Sequence, residues 1–422
     1  MIRPRKLLLQ ALCIVCGAQA LSARGADDDA LALPGPSEPE QKKESPWRVT
    51  LEGGIGSIDR RLGLASQDAR RAALDVRYSG KLSESWRLTL SDRLDSLHPV
   101  ADGRPSTRND LREAYATWQV AGENTAIELG RLNLRHGNAF GYNPTDVFRS
   151  GAVRTVTTAD PLALRENRLG TFMARVSQLG ANGGFAVALA PKLANGPDSR
   201  AVAVDAGATN SAHRALLTVD VRSSDRLSSQ ALLLLERGKA ATLGASFTAL
   251  VSDSAVAYGE LTSSKSPSLH DQILGSAGAP ARKPRAALGL TYTLPSSMVV
   301  TVEAEFNGAG LDRSGWTRVF NQGPLAYQRF VALTQPNLEL GSRHALLVYA
   351  TQKDLGIKRL DLTAFVRKST VDHSALAWAE VRYHWPQFDL ALQWQRSFGA
   401  ARTEFGAMPQ SQIVQLVGYL YF

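Results

Sequence analysis

Cysteine is almost absent from this sequence of 422 residues, which contains only Cys13 and Cys16. Both lie in the leader segment described below, so the rest of the chain has none. This excludes a scaffold stapled by disulfides and a metal site built from thiolates. Neither cysteine follows the small residue that a lipoprotein signal requires, because Leu12 and Val15 precede them.

Histidine is also scarce, and its seven positions show no metal-ligand spacing such as His-x-x-x-His: His98, His136, His213, His270, His344, His373 and His384. Only His373 is followed by a serine, and this pair falls in a short predicted turn. We therefore expect no metal, no cofactor and no enzymatic activity.

Two further features are missing after the leader. No apolar run reaches the 18 or so residues that a membrane-spanning helix needs. Without Arg3, Arg5 and Lys6 of the leader, 45 Lys and Arg against 39 Asp and Glu leave a net charge of +6, a small basic excess. It gives little support to a nucleic-acid partner.

The N-terminal segment 1–23 reads as a secretory signal peptide. A basic front precedes a short apolar stretch, and Ala18-Gln19-Ala20 has the small-x-small pattern of a cleavage site. Residues 24–46 follow as a linker rich in proline and charge, which we expect to be disordered and periplasmic. The remaining residues 47–422 form one unit.

What this unit contains in abundance is strict alternation of apolar and polar residues. In 71–79, 300–307 and 359–367 every second residue is apolar, and the residues between are charged or polar apart from Ala73 and Phe365. This period of two predicts strands with one apolar face. Eighteen such segments can be placed, at 47–57, 71–80, 84–95, 111–121, 125–135, 168–178, 183–191, 213–223, 227–236, 240–250, 254–263, 284–294, 297–306, 342–352, 357–367, 373–384, 387–397 and 412–422.

The connections between these segments fall into two classes. All eight connections after even-numbered strands are short. The long ones all follow odd-numbered strands, at 96–110, 136–167, 192–212, 264–283, 307–341 and 398–411. Short periplasmic turns and long outer loops are typical of transmembrane β-barrels. We therefore predict an all-β fold, an antiparallel barrel of about 18 strands in the cell outer membrane, in contact with lipid and lipopolysaccharide.

The last strand, 413–422, has one apolar face and ends the chain on Phe422. It resembles the closing strand of Gram-negative outer-membrane β-barrels, which implies recognition by the barrel-assembly machinery. A buried edge strand of a soluble protein is the alternative interpretation of this segment taken alone.

The connection 136–167 is the most structured. Inward and outward positions exchange after Gly130, which predicts a bulge that turns Leu132 and Leu134 outward. Asn143-Pro144 and Asp160-Pro161 each have the pattern of a helix start. Such a loop either folds into the lumen as a constriction or covers the mouth as a lid, and we favour the constriction. In the insert 307–341, residues 324–335 predict a helix, with an extra strand as the alternative.

The segment Leu129-Gly130-Arg131 to Arg135, followed by Gly-Tyr-Asn-Pro-Thr-Asp at 141–146, resembles porin-like outer-membrane families, including the alginate-export type. That resemblance implies a wide single-chain barrel, commonly of eighteen strands, with a basic lumen for anionic sugars. In this chain the predicted lumen carries a mixture of arginines and acidic residues.

These observations predict a passive porin-like channel for small hydrophilic, mildly anionic solutes, narrowed by 136–167. A gated exporter of an anionic exopolysaccharide and a scaffold or adhesin acting through its outer loops are the alternatives. The predicted constriction residues are Glu128, Arg131, Asn133, Arg135, Asn143, Asp146, Arg149, Arg154, Arg165 and Arg168. Their arginines set ion selectivity or, alternatively, pin the loop to the wall through acidic partners.

Overall fold

The computed structural model describes residues 45–61, 63–99, 106–276 and 278–422. The predicted signal peptide and residues 24–44 of the predicted linker lie outside this part of the chain. The described residues form one sheet of 18 antiparallel strands. The strands are Trp47–Arg60 (β1), Gln67–Lys81 (β2), Trp86–His98 (β3), Thr107–Gln119 (β4), Thr125–Leu132 (β5), Thr171–Gly180 (β6), Gly183–Ala190 (β7), Arg214–Ser224 (β8), Leu227–Glu236 (β9), Thr242–Ser252 (β10), Ala255–Ser266 (β11), Ala281–Thr293 (β12), Val299–Asn307 (β13), His344–Gln352 (β14), Leu360–Ser369 (β15), Ala375–His384 (β16), Phe388–Phe398 (β17) and Gln410–Tyr421 (β18).

The sheet closes on itself through its first and last strands. β1 pairs with β2 on one side and with β18 on the other, with Thr50 opposite Tyr421 and Gly53 opposite Gly418. The amide of Phe422 donates to the carbonyl of Val49 at 3.0 Å. The predicted C-terminal strand therefore closes a barrel and leaves no free sheet edge between β1 and β18.

Alternate side chains of each strand point to opposite sides of the wall. On β14, Ala345 and Leu347 are buried inside, whereas Leu346 and Val348 are each 45% exposed on the outside. The same outward exposure of apolar side chains recurs around the barrel, for example at Leu129, Leu189, Leu235, Leu261, Leu288, Val302 and Leu392. Such a belt is stable against lipid and costly against water, so the barrel spans a membrane.

The connections obey the predicted asymmetry. Those after even-numbered strands run from the two residues 181–182 to the seven residues 353–359, and the long ones, 133–170, 191–213, 267–280 and 308–343, all follow odd-numbered strands. The long loops therefore lie together at one end of the barrel, which we call the outer end. The eighteen predicted segments correspond one to one with the eighteen strands.

Five α-helices interrupt the described loops: Pro161–Glu166 (α1), Ala206–Thr209 (α2), Leu269–Leu274 (α3), Arg313–Asn321 (α4) and Pro324–Thr334 (α5). α1 and α5 confirm the predicted helices. None of the helices in the described residues is long and apolar enough to cross a membrane. Helices α3, α4 and α5 pack around Trp316, Val319 and Phe330 into a cap at the outer end.

The helix predicted to start at Asn143 is wrong, because 143–151 forms a series of turns. The Asn143 side chain donates to the carbonyl of Ala139, while the amide of Thr145 donates to Glu260 of the barrel wall. The wall thus satisfies the amide of Thr145, and the amide of Asp146 donates to the carbonyl of Asn143 at 3.2 Å, so no helix is needed to pair these groups.

The lipid-facing belt generates a first prediction. Leu392 lies outward near the middle of β17, and Leu392→Arg should destabilise the barrel by about 2 to 4 kcal/mol because a charge then faces lipid. Gln395→Arg, on the inward face of the same strand, should cost less than about 1 kcal/mol. Urea unfolding in lipid vesicles measures both free energies. Equal penalties would show that the assigned faces of β17 are incorrect.

Candidate pore constriction

The wall strand β5 ends early, and the chain enters the lumen there. Gly130 has a φ of 135°, and a Cβ at this position would lie 2.2 Å from the carbonyl of Ala114. Only glycine fits this close approach of two backbones. The segment 133–170 that follows, here named the inner loop, crosses the barrel before it returns to β6.

The prediction that Leu132 and Leu134 face lipid is wrong. Both are buried in an apolar cluster inside the barrel, packed with Met173, Leu216 and Phe148. The reason is that the side-chain alternation is kept through Gly130, so Leu132 stays on the inward face and the loop carries Leu134 further inside. An inward apolar surface on β6 to β9 receives both side chains.

The far end of the inner loop is held by two buried carboxylates. Glu303 on β13 accepts hydrogen bonds from the amides of Phe140 (2.7 Å), Gly141 (3.1 Å) and Tyr142 (3.0 Å). Glu260 on β11 accepts from the amide of Ala139 at 2.7 Å. β13 lies eight strands from β5 in the closed sheet of eighteen. The loop therefore spans nearly the full width of the lumen.

Aromatic packing covers these carboxylates. The ring of Phe140 lies 5.5 Å from that of Tyr349 and 6.1 Å from that of Tyr258. The Tyr258 hydroxyl in turn donates to Glu303 at 2.7 Å. Phe365 joins the same buried cluster. Water is thereby excluded from the anchor, which strengthens its charge-assisted hydrogen bonds.

The near end of the loop is organised by Asp146, which is 1% exposed. Arg168 binds it through two nitrogens, at 2.7 and 2.9 Å, and Arg165 approaches it to 3.2 Å. Burial opposes ionisation of this carboxyl, but the two guanidinium groups outweigh it and lower the pKa of Asp146. Asn133 accepts from Arg168 at 2.8 Å. Four of the predicted site residues, Asn133, Asp146, Arg165 and Arg168, thus form one network.

The other predicted residues lie in separate groups. Asn143 and Arg149 are adjacent, and Arg149 also binds Glu339 of the loop 308–343 at 2.8 Å. Arg154 binds Asp205 at 2.8 Å. Arg135 is half-buried.

Two predicted residues contribute to the wall rather than to the lumen surface. Glu128 pairs with Arg175 of the neighbouring strand β6 at 2.7 Å. Arg131 is fully buried, donates to the carbonyls of Gly170 and Val204, and lies over the ring of Phe172. Arg131 therefore holds backbone carbonyls, whereas the pinning alternative named acidic partners.

Sequence reasoning missed the residues that hold the loop from outside it, namely Glu260, Tyr258, Glu339 and Asp205. Glu303 lies at a polar position of the alternating segment 300–307, but the sequence assigns it no role. The available signal was an acidic residue at an inward strand position. That signal identifies the face of the wall but not the partner, since the partner is a backbone amide of a distant loop.

A second network covers the wall formed by β1 to β4. Arg71 and Arg93 both bind Glu52 at 2.8 Å, and Arg93 also binds Asp95 at 3.0 Å. Arg112 binds Asp75. The inner loop contacts this wall too, because Arg71 donates to the carbonyl of Thr157.

The loop 191–213 covers the place where β5 leaves the wall. The amide of Asn109, on the outer part of β4, donates to the carbonyl of Ala201 at 2.8 Å. The side chain of Asn210 accepts from the amide of Phe172 at 2.9 Å and donates to the carbonyl of the same residue at 2.8 Å. The amide of Asn109, which β5 would have paired, is thus satisfied by this loop.

Solved structures share this architecture. Pseudomonas aeruginosa OccK8 (OprE) superposes with a TM-score of 0.54 at 11% identity, covering 90% of this chain and 98% of that one. Acinetobacter baumannii OccAB1 gives 0.55 at 10% identity, with coverages of 91% and 99%. The outer membrane protein opdK from P. aeruginosa gives 0.53 at 9%, with 89% and 98%.

No family model matches the chain, and no curated protein matches it in sequence. At identities this low, the structural likeness shows the fold alone. That fold is the closed 18-stranded antiparallel β-barrel, which the outer membrane protein opdK shares.

The carboxylate anchor generates a second prediction. Glu303→Leu removes the acceptor of three loop amides, and each unpaired buried amide costs about 1 to 3 kcal/mol. The amides of 140–142 should then exchange with solvent faster by at least about a hundredfold, with Glu303→Gln intermediate because its carbonyl still accepts. Hydrogen exchange followed by mass spectrometry measures this.

Glu128→Gln is the matched control for the anchor, because it breaks an ion pair of similar burial that no loop amide shares. It should leave exchange at 140–142 unchanged. Unchanged exchange in Glu303→Leu would refute the anchoring role.

A third prediction concerns Asp160, the N-cap of α1 inside the loop. Burial raises the pKa of its carboxyl to about 6, and the negative charge of Glu380 adds to this. The folded loop then binds a proton more tightly than the unfolded one, so its stability falls as pH rises from about 4 to about 6. Asp160→Asn keeps the cap without the charge. At pH 7.5 it should stabilise the loop, by at most about 3 kcal/mol.

Hydrogen exchange of 161–166 at pH 4.5 and 7.5 tests this, with Asp312→Asn as control. Asp312 caps α4, and its hydrogen bond from the Gly315 amide lowers the pKa of its carboxyl. Its replacement should therefore weaken α4 at neutral pH. A loop that opens more readily in Asp160→Asn at pH 7.5 would contradict the prediction.

Proposed function

We propose that this barrel is a passive outer-membrane channel for small hydrophilic solutes, narrowed by the inner loop and with a mild preference for anions. The role assigned is transport, not catalysis. The observation that carries it is the course of the inner loop, which leaves the wall at β5 and is bound to Glu260 and Glu303 on the far wall. The pair of Asp146 with Arg168 joins the middle of the loop to its returning end. A loop held in this way sets the width of any passage.

The preference for anions is supported by the depth of the charges. In four ion pairs of the lumen the carboxylate is more buried than the arginine. Side-chain exposures are 31% against 10% for Arg77 and Asp75, and 18% against 1% for Arg154 and Asp205. They are 15% against 1% for Arg165 and Asp146, and 23% against 0% for Arg367 and Glu305.

The opposite order occurs for Glu166 and Glu339, which are more exposed than their arginine partners, and for Asp75 against Arg112. On balance, the guanidinium groups are more exposed to the water of the lumen than the carboxylates are. Near low-dielectric walls, where screening is weak, this arrangement favours anions.

Current through the refolded protein in a planar bilayer tests the channel. The wild type should conduct steadily without a partner, and deletion of 139–165 should raise its conductance about severalfold because the crossing loop is removed. In a salt gradient the reversal potential should show a mild anion preference. Arg77→Gln with Arg154→Gln should reduce that preference, whereas Arg226→Gln, at a periplasmic turn, should not.

A second candidate is a gated exporter of an anionic exopolysaccharide, in keeping with the sequence resemblance to the alginate-export type. It is favoured by the apolar clusters on the inward face, including Phe140, Tyr349 and Trp378, which fill space beside the loop. An exporter should be silent until 139–165 is removed. Silence in both forms would favour a scaffold or adhesin that acts through the outer loops.

Two partners belong to the same proposal. The apolar outer face requires lipid and lipopolysaccharide around it. The C-terminal strand ends on Phe422, whose side chain is 71% exposed and accessible to the barrel-assembly machinery.

A further inference from the structure

The outer face of β7, β8 and β9 carries a depression close to the outer end. Leu189, Ala215 and Leu235 stand opposite one another in the register of the three strands, all pointing outward. The two leucines are half exposed, and the small Ala215 between them leaves a hollow. This hollow belongs to a cavity of about 540 Å³.

The next outward row toward the outer end is basic. It contains His213 and Arg237, which adjoin in the sheet because the amide of Arg237 donates to the carbonyl of His213 at 3.0 Å. Lys192 lies beside them, with its amide donating to the His213 ring at 3.2 Å. All three side chains are exposed. We name Lys192, His213 and Arg237 the basic row.

The charge of this row is not cancelled locally. The nearby Glu236 is already paired with Lys239 at 2.8 Å. Neither Lys192 nor Arg237 forms an ion pair within the part of the chain that the structure describes. An anion above the hollow therefore meets two cations that are available for charge-assisted hydrogen bonds.

The position of the row in the membrane decides the class of ligand. It lies at the end of the barrel that carries the long loops, directly beyond outward leucines that face lipid. A ligand that uses both features needs an apolar chain in the hollow and an anionic group at the polar boundary. A free anion uses only the row, and a neutral lipid uses only the hollow.

We propose that Lys192, His213 and Arg237, together with the hollow at Ala215, form a binding site for a phosphorylated acyl lipid of the outer leaflet. In a Gram-negative outer membrane this chemistry is that of the lipid anchor of lipopolysaccharide. One acyl chain lies between Leu189 and Leu235, and a phosphate accepts hydrogen bonds from Arg237 and Lys192. The site is independent of whether the lumen conducts.

The experiment uses the full-length refolded protein in detergent with bisphosphorylated lipid A as the probe, and native mass spectrometry measures its dissociation constant. Lys192→Glu with Arg237→Glu should weaken binding at least about tenfold, because two charge-assisted contacts become repulsive. Ala215→Phe, which fills the hollow and leaves the basic row intact, should also weaken it about tenfold.

The matched control is Lys81→Glu with Arg226→Glu. It makes the same change of charge at exposed positions of the opposite, periplasmic end and should leave the affinity within about twofold of the wild type. Chemically dephosphorylated lipid A should bind at least about tenfold more weakly than the intact probe.

Three outcomes would overturn the site. Equal affinity of the Lys192→Glu/Arg237→Glu variant and the wild type for lipid A would show that the basic row does not bind the lipid. Equal losses in both charge-reversed variants would reduce the effect to overall charge. Two results would show that the hollow does not bind an acyl chain. One is that inorganic phosphate competes as well as lipid A, and the other is that Ala215→Phe binds lipid A with wild-type affinity.

Discussion

The hydrogen bonds between backbone amides of the inner loop and the carboxylates of Glu260 and Glu303 are the interaction on which the interior depends. A loop of this length does not keep one path across a wide lumen without contacts to the wall, because ordering its backbone costs conformational entropy. The two glutamates supply acceptors at the far wall, and aromatic rings close over them. The loop then has one position, and the arginines on it have fixed partners.

The wall of this protein could be predicted from its sequence almost completely. One face of each strand contacts lipid, so outward positions favour apolar residues. This alternation allowed 18 segments to be placed. Turn lengths then gave the two ends. The boundaries moved by a few residues, as for β15, which begins at Leu360 rather than at 357.

The interior could be predicted far less well, for a physical reason. Its face is not uniformly polar: Leu347, Phe365 and Trp378 point inward and pack against the loop. Leu132 shows the consequence, since an apolar residue near a glycine was assigned to lipid although it is buried inside. Periodicity reports that a residue is apolar, not which of two apolar environments it meets.

The same limit applies to the candidate site. The sequence identified the loop and its basic residues, and the structure joins Asn133, Asp146, Arg165 and Arg168 into one network. The sequence could not show that Arg131 bonds backbone carbonyls, because every residue has a backbone carbonyl and the residue types do not reveal which one is bonded. The acceptors on the far wall were missed for the same reason, as their partners are amides.

The early departure of β5 couples two loops that are far apart in sequence. Where β5 leaves, the outer part of β4 loses its neighbour, and the loop 191–213 takes that place through Asn109 and Ala201. A chimera that received the inner loop alone would keep its constriction but expose an unpaired strand edge to lipid. The inner loop and the loop 191–213 therefore depend on each other structurally. When loops are exchanged between related barrels, both should be transferred together or neither.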